Sequence, residues 1–118
     1  MLNRREVGAW GERLAATWLQ KQGYTIVAQN YFTRWGEIDI VARGANWLSF
    51  IEVKLRTRGE GSAERAITST KRVHWQRAAQ WFCVKESLPA DCAIIFEQIS
   101  LYVDRAARVV RCRKYIVS

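Results

Sequence analysis

Two acidic side chains stand where apolar ones belong. Asp39 lies between Ile38 and Ile40, Glu52 lies between Ile51 and Val53, and Lys54 follows two positions after Glu52. A carboxylate on an apolar strand is costly unless a partner or a cation meets it. Side chains alternate along a strand, so Ile38, Ile40 and Ala42 are expected on one face and Glu37, Asp39 and Val41 on the other. The second segment sorts likewise, with Ser49, Ile51 and Val53 against Phe50, Glu52 and Lys54. Pairing Arg43 with Leu48 around the loop Gly44 to Trp47 sets Ile40 opposite Ile51, Ile38 opposite Val53 and Asp39 opposite Glu52. A one-residue slip would mix acids into the apolar face of both strands.

Directly opposed residues have Cβ atoms about 4.5 to 5.5 Å apart. Two carboxylates that close repel each other unless a cation lies between them. Oxygen ligands of this kind suit Mg²⁺, or Mn²⁺ in its place, and Mg²⁺ keeps several waters and accepts phosphate as a further ligand. Lys54 adds a fixed positive charge on the face of Glu52. Metal-activated water together with a cation that stabilises developing negative charge is what phosphodiester hydrolysis requires. Taken singly, each acid would be read as an ion-pair partner of Lys54 or Arg56; the combined pattern favours the metal.

The elements that must hold these residues follow from periodicity. Asn3 and Glu6 have capping-box spacing, and Val7, Trp10, Leu14 and Trp18 recur at helical intervals up to Gly23, predicting a helix over Arg4 to Gln22. Gly8 and Gly11 within it would permit close approach of another backbone, and Glu12 borders the apolar stripe, within reach of a neighbouring sheet. A short strand from Tyr24, a loop "NYFTRWG", and strands over Glu37 to Arg43 and Leu48 to Arg56 come next. A second helix is expected over Thr68 to Glu86, with Trp75, Ala78, Ala79 and Phe82 on one face. After Pro89, "CAIIFEQ" and "ISLYVDRAARVVRCRKYIV" are strand-like, the latter a hairpin turning near Arg105 to Ala107. This order indicates α/β or α+β architecture with a mixed sheet flanked by helices.

Bulk properties agree with one domain over residues 1–118. The 118 residues are 49% hydrophobic, with one proline and seven glycines, and no apolar run approaches the roughly 20 residues of a membrane span. No secretory h-region follows the N-terminal charges, which makes the cytoplasm the expected compartment and membrane association unexpected. Cys83, Cys92 and Cys112 have neither disulfide nor zinc-site spacing and read as buried free thiols. Nineteen basic against eleven acidic residues give a net charge of +8, favouring a polyanionic partner such as nucleic acid. Lys71, Arg72 and Arg77 on the second helix, with Arg56 and Arg58 at the end of the strand bearing Glu52, are placed to track a phosphate backbone. Tyr31, Phe32, Arg34 and Trp35 cluster ahead of the acidic strand, where they serve the core or stack on unpaired bases. The lone histidine, His74, reads as a solvated or phosphate-facing side chain rather than a general base.

Asp39 followed, after twelve residues, by Glu52-Val53-Lys54 resembles the PD-(D/E)xK nuclease superfamily. The stretches "GAWGERLAATWLQKQGY", "AQNYFTRWGEIDIVAR" and "FIEVKLR" resemble more specifically the bacterial YraN family of uncharacterised proteins, which is similar to archaeal Holliday-junction resolvases. The resemblance implies a restriction-endonuclease-like αβββαβ core, to which this chain adds a C-terminal β-hairpin. It implies Asp39, Glu52 and the Val53 carbonyl as metal ligands, Lys54 as catalytic lysine and Glu12 as a helix-borne acid near the metal, with Glu37 as an accessory acid. The implied activity is a Mg²⁺- or Mn²⁺-dependent endonuclease acting on DNA, branched or single-stranded, with a homodimer as an admissible assembly. The rival reading is a nucleic-acid-binding module, or a subunit of a DNA-processing assembly, that keeps the fold without turnover. A third, an interaction protein using the C-terminal hairpin as an edge strand, leaves the acids unexplained. Asp91, in "ADCAIIF", is either a displaced counterpart of an aspartate such families carry ahead of the next strand or unrelated to it.

Overall fold

The computed structural model describes residues 3–57, 68–104 and 109–117. The order is α1 (Arg4–Lys21), β1 (Thr25–Thr33), β2 (Gly36–Arg43), β3 (Leu48–Thr57), α2 (Ser69–Lys85), β4 (Ile94–Asp104) and β5 (Val109–Ile116). The strands form one sheet in sequence order, antiparallel except where β3 and β4 run parallel. This is a mixed α+β fold with the αβββαβ order of a restriction-endonuclease-like core and a C-terminal hairpin made by β4 and β5.

Local chemistry starts and stops α1 as its sequence requires. The Asn3 side chain accepts the Glu6 N–H at 2.9 Å and donates to the Glu6 carboxylate at 2.8 Å. At the other end Gly23 takes φ +95°, the Tyr24 N–H reaches the Leu19 carbonyl and the Gly23 N–H reaches the Gln20 carbonyl. That double bond pattern closes the helix at a left-handed residue. Gly8 and Gly11 do not admit another backbone. Among the described residues nothing lies within 4 Å of a Cβ built at Gly8, and one at Gly11 meets only the Leu101 and Leu55 side chains at ordinary contact distance.

The two faces of the sheet carry separate cores. Ala15, Ala16 and Leu19 of α1 pack on Ile40, Ala42, Ile51, Ile99 and Leu101. Trp75, Ala78, Ala79 and Phe82 of α2 pack on the other face, against Ile38, Val41, Leu48 and Phe50. The β2–β3 register is the one expected, Arg43 with Leu48 and Ile40 with Ile51, and the Gly44 N–H bonds the Trp47 carbonyl across the four-residue loop.

Three expectations need correction. The segment read as the loop "NYFTRWG" is mostly strand: β1 runs to Thr33 and turns through Arg34 and Trp35 alone, with Thr33 pairing Gly36. The Thr33 hydroxyl shapes that turn by donating to the Gly36 carbonyl and accepting the Trp35 N–H. "CAIIFEQ" and "ISLYV" are not two strands, because Ile94–Asp104 is one continuous strand whose hairpin with β5 turns outside the described residues. Finally, Ile38 does not share a face with Ile40. It packs with Val41 and Phe50 on the α2 side, whereas Ile40 and Ala42 face α1.

The cause of that last difference lies in β1. Asn30 has φ +51°, a left-handed conformation that strict strand alternation does not accommodate. It falls between the pairs Gln29–Ile40 and Tyr31–Ile38, and is therefore opposite Asp39. Ala28 and Tyr31, three apart in β1, pack on the same core as Val41 and Ile38, three apart in β2. Both strands thus exchange faces at one level of the sheet, and Asp39 is the residue at the exchange.

Candidate metal centre

The exchange of faces lets acids from different layers approach one carboxylate. Glu12 from α1, Glu37 and Asp39 from β2 each place a carboxylate oxygen within 4.8 Å of the other two. The Asn30 amide donates to both Glu12 and Glu37, the latter at 2.6 Å, and so holds two like charges side by side. Asp39 Oδ2 accepts the Val53 N–H at 2.8 Å. The β2–β3 ladder ends at Ile40 and Ile51, so the opposition expected of Asp39 and Glu52 falls one step past its last pair. There the Asp39 side chain takes a backbone donor of β3.

Glu52 lies toward α2. Its Oε1 is 3.1 Å from the Lys54 ammonium and also binds Lys71. Its Oε2 is buried and has no hydrogen-bond partner among the described residues. A buried carboxylate oxygen without a donor is expensive, and an oxygen-seeking cation would meet that need. Glu12, Glu37 and Asp39 are the acids whose oxygens converge, and Glu52, outside that group, adds a buried oxygen without a donor among the described residues; oxygen ligands of this kind fit a hard divalent ion.

Electrostatics points the same way. Burial pushes the Asp39 carboxyl up to about 7; the Val53 N–H opposes this, and Glu12, Glu37 and Glu52 add to it. The Glu12 carboxyl is also raised, chiefly by burial, with Glu37 adding and the Asn30 bond opposing. Burial pulls the Lys54 ammonium down, but Glu52, with Lys71 and Asp39 adding, outweighs it and the pKa is raised. Lys54 is consequently a cation at neutral pH. An open cleft of about 390 Å³ is lined by Glu37, Asp39 and Glu52 with Trp35, Lys71 and His74; Glu12 and Lys54 are not among its lining residues.

The remaining candidates divide. Lys71, expected along a phosphate backbone, is instead bonded to Glu52 inside the cleft. Arg72 and Arg77 are exposed on α2, Arg34 is exposed in the β1–β2 turn and Arg56 is half-buried on β3. Arg58 lies outside the described residues. Asp91 is exposed in the turn ahead of β4, and the three cysteines are free and half-buried. Asn30 was missed by sequence reasoning. Its signal was present: a residue type enriched in the left-handed region, set within an otherwise strand-like run.

A second acid is buried far more completely. Glu97, 1% exposed, accepts from the Tyr24 hydroxyl at 2.9 Å and the Ser49 hydroxyl at 2.6 Å. Lys114 of β5 lies 3.0 Å from its other oxygen. Hydroxyl donors and a counter-charge meet this carboxylate, which ties β3, β4 and β5 together instead of awaiting a ligand.

Comparison with known proteins places the chain in a group defined by sequence. The model of the uncharacterised protein family UPF0102 matches residues 11–113. A UPF0102 protein of Caldicellulosiruptor saccharolyticus is 36% identical over 104 residues, 87% of either chain. One from Desulfosudis oleivorans is 48% identical over 84 residues, 70% of this chain and 68% of that protein. A third, from Geobacter metallireducens, is 40% identical over 101 residues, 85% and 82% of the two chains.

Proposed function

The chain belongs to the uncharacterised protein family UPF0102, and from that premise we propose that it is a divalent-metal-dependent endonuclease that hydrolyses phosphodiester bonds in DNA. One observation carries the reading. The carboxylates of Glu12, Glu37 and Asp39 converge, and Glu37 and Asp39 line a cleft with Glu52, whose Oε2 is buried without a donor among the described residues while Lys54 stands at Oε1.

Asp39 and Glu52, with the Val53 carbonyl, would hold the cation, and Glu12 and Glu37 would add carboxylates beside Asp39. When bound, Mg²⁺ or Mn²⁺ supplies an acidified water and neutralises phosphate charge. Lys54 enters the reaction as an ammonium. It is suited to hydrogen-bond a non-bridging phosphate oxygen as negative charge accumulates there, and not to remove a proton from water. Asn30 positions Glu12 and Glu37 without itself meeting the substrate. Lys71, paired with Glu52, is a second cation in the cleft and would face the substrate's phosphate beside Lys54.

The test is hydrolysis of branched, duplex and single-stranded DNA with and without Mg²⁺ or Mn²⁺. Asp39→Asn and Glu52→Gln should each abolish metal-dependent cleavage with the circular dichroism spectrum unchanged, since each removes ligand charge and little volume. Equal cleavage by variants and parent would identify a contaminating nuclease. Salt-sensitive binding with no cleavage of any substrate would favour a binding module instead.

A further inference from the structure

Three of the six tryptophans, Trp10, Trp35 and Trp81, belong to neither core, and the last two lie together. Trp35 sits in the β1–β2 turn and lines the acid cleft, and Trp81 lies on α2 with 44% of its surface exposed. Their ring centroids are 6.2 Å apart with planes tilted by 59°. Each indole carries a cation: the Arg34 guanidinium lies 5.1 Å from the Trp35 centroid and the Lys85 ammonium 5.8 Å from that of Trp81. An exposed indole beside a half-buried one, each flanked by positive charge, matches a nucleobase followed by its phosphate.

We propose that Trp35 and Trp81 form a stacking platform for unpaired bases, which selects single-stranded nucleic acid, or the single-stranded arm of a branched one, as the ligand of this cleft. The inference rests on the reading of the cleft as a nuclease site and supplies its substrate class. His74, Ala78, Trp81 and Lys85 are spaced by four, three and four residues and so share one face of α2. His74 and Ala78 line the cleft, and Trp81 and Lys85 continue the same stripe beyond it. From His74 to Trp81 the helix rises about 10 Å, or about three nucleotides at the roughly 3.4 Å spacing of a stacked strand. A base on the platform therefore lies a few nucleotides from a phosphate at Asp39. Duplex DNA keeps its base faces stacked inside and cannot use such a surface.

The experiment measures affinity for a labelled oligothymidylate and for a blunt duplex of equal length, by fluorescence anisotropy in EDTA so that no cleavage occurs. Trp81→Ala should weaken oligothymidylate binding about ten-fold or more, as expected for loss of one base–aromatic stack. Trp81→Phe should retain most of it, and duplex affinity should not change. Quenching of tryptophan emission by the oligonucleotide should shrink in Trp35→Phe and in Trp81→Phe. Unchanged oligothymidylate affinity in Trp81→Ala, or an equal loss for duplex, overturns the platform. Platform-dependent binding without hydrolysis in Mg²⁺ or Mn²⁺ upholds it and defeats only the nuclease reading. Asp39-dependent cleavage that is indifferent to Trp81→Ala upholds the nuclease and defeats the platform.

Discussion

Asp39 carries the largest electrostatic burden of any residue in the cleft. Its carboxyl ionises near 3.8 in an unfolded chain and near 7 in the fold, because burial and three neighbouring acids disfavour its charge. Between those values the folded protein holds a proton that the unfolded chain has lost. Metal-free stability therefore falls as pH rises through that window and levels off above it. The contribution is on the order of 2 to 4 kcal/mol. In denaturant titrations with EDTA, Asp39→Asn should match the parent near pH 4 and exceed it at pH 8. Mg²⁺ at pH 8 should raise the melting temperature of the parent and leave that of the variant unmoved. A parent advantage at pH 8 in EDTA would mean that Asp39 is already matched by a protein cation, as Glu52 is by Lys54 and Lys71.

At the scale of elements, α1 offers a direct check on the role of its glycines. Gly8 lies in the second turn of α1 with nothing near it among the described residues, so Gly8→Ala should stabilise the fold by about 0.5 to 1 kcal/mol in urea denaturation. A loss would show that the position meets something at the N-terminal end of the helix. Both ends of α1 and the β2–β3 register were legible in sequence, because caps, turn lengths and apolar alternation are short-range signals. The partners of Lys71 were not, since the pattern of α2 shows only that this lysine is exposed, and not which strand passes beneath it. Nor was the exchange of faces at Asn30 and Asp39. It turns on one left-handed residue in β1, for which the asparagine of "NYF" is a weaker signal than a glycine would be. The Glu97 cluster was hidden for a related reason: Tyr24, Ser49 and Lys114 come together only once the sheet is assembled.

Across the whole molecule, charge is divided unevenly. Three of the eleven acids, Glu37, Asp39 and Glu52, line one cleft of a chain whose net charge is +8, with Glu12 beside Asp39, so the surface elsewhere is more basic than the total implies. A polyanion is drawn to the protein and repelled at the cleft until a cation occupies it. DNA affinity should fall with salt by roughly 0.9 log unit per log unit for each phosphate neutralised. At constant ionic strength it should rise on adding Ca²⁺ in the parent but not in Glu52→Gln, by filter binding. A flat salt dependence would remove nucleic acid from consideration. The sheet itself divides at its parallel joint: α1 to β3 precede it, α2 to β5 follow it, and β3 meets β4 along all ten of its residues. During synthesis β3 leaves the ribosome well before β4. Until that strand arrives, one margin of β3 is an open template of amide and carbonyl groups, and a neighbouring nascent chain can add to it as readily as β4 does later.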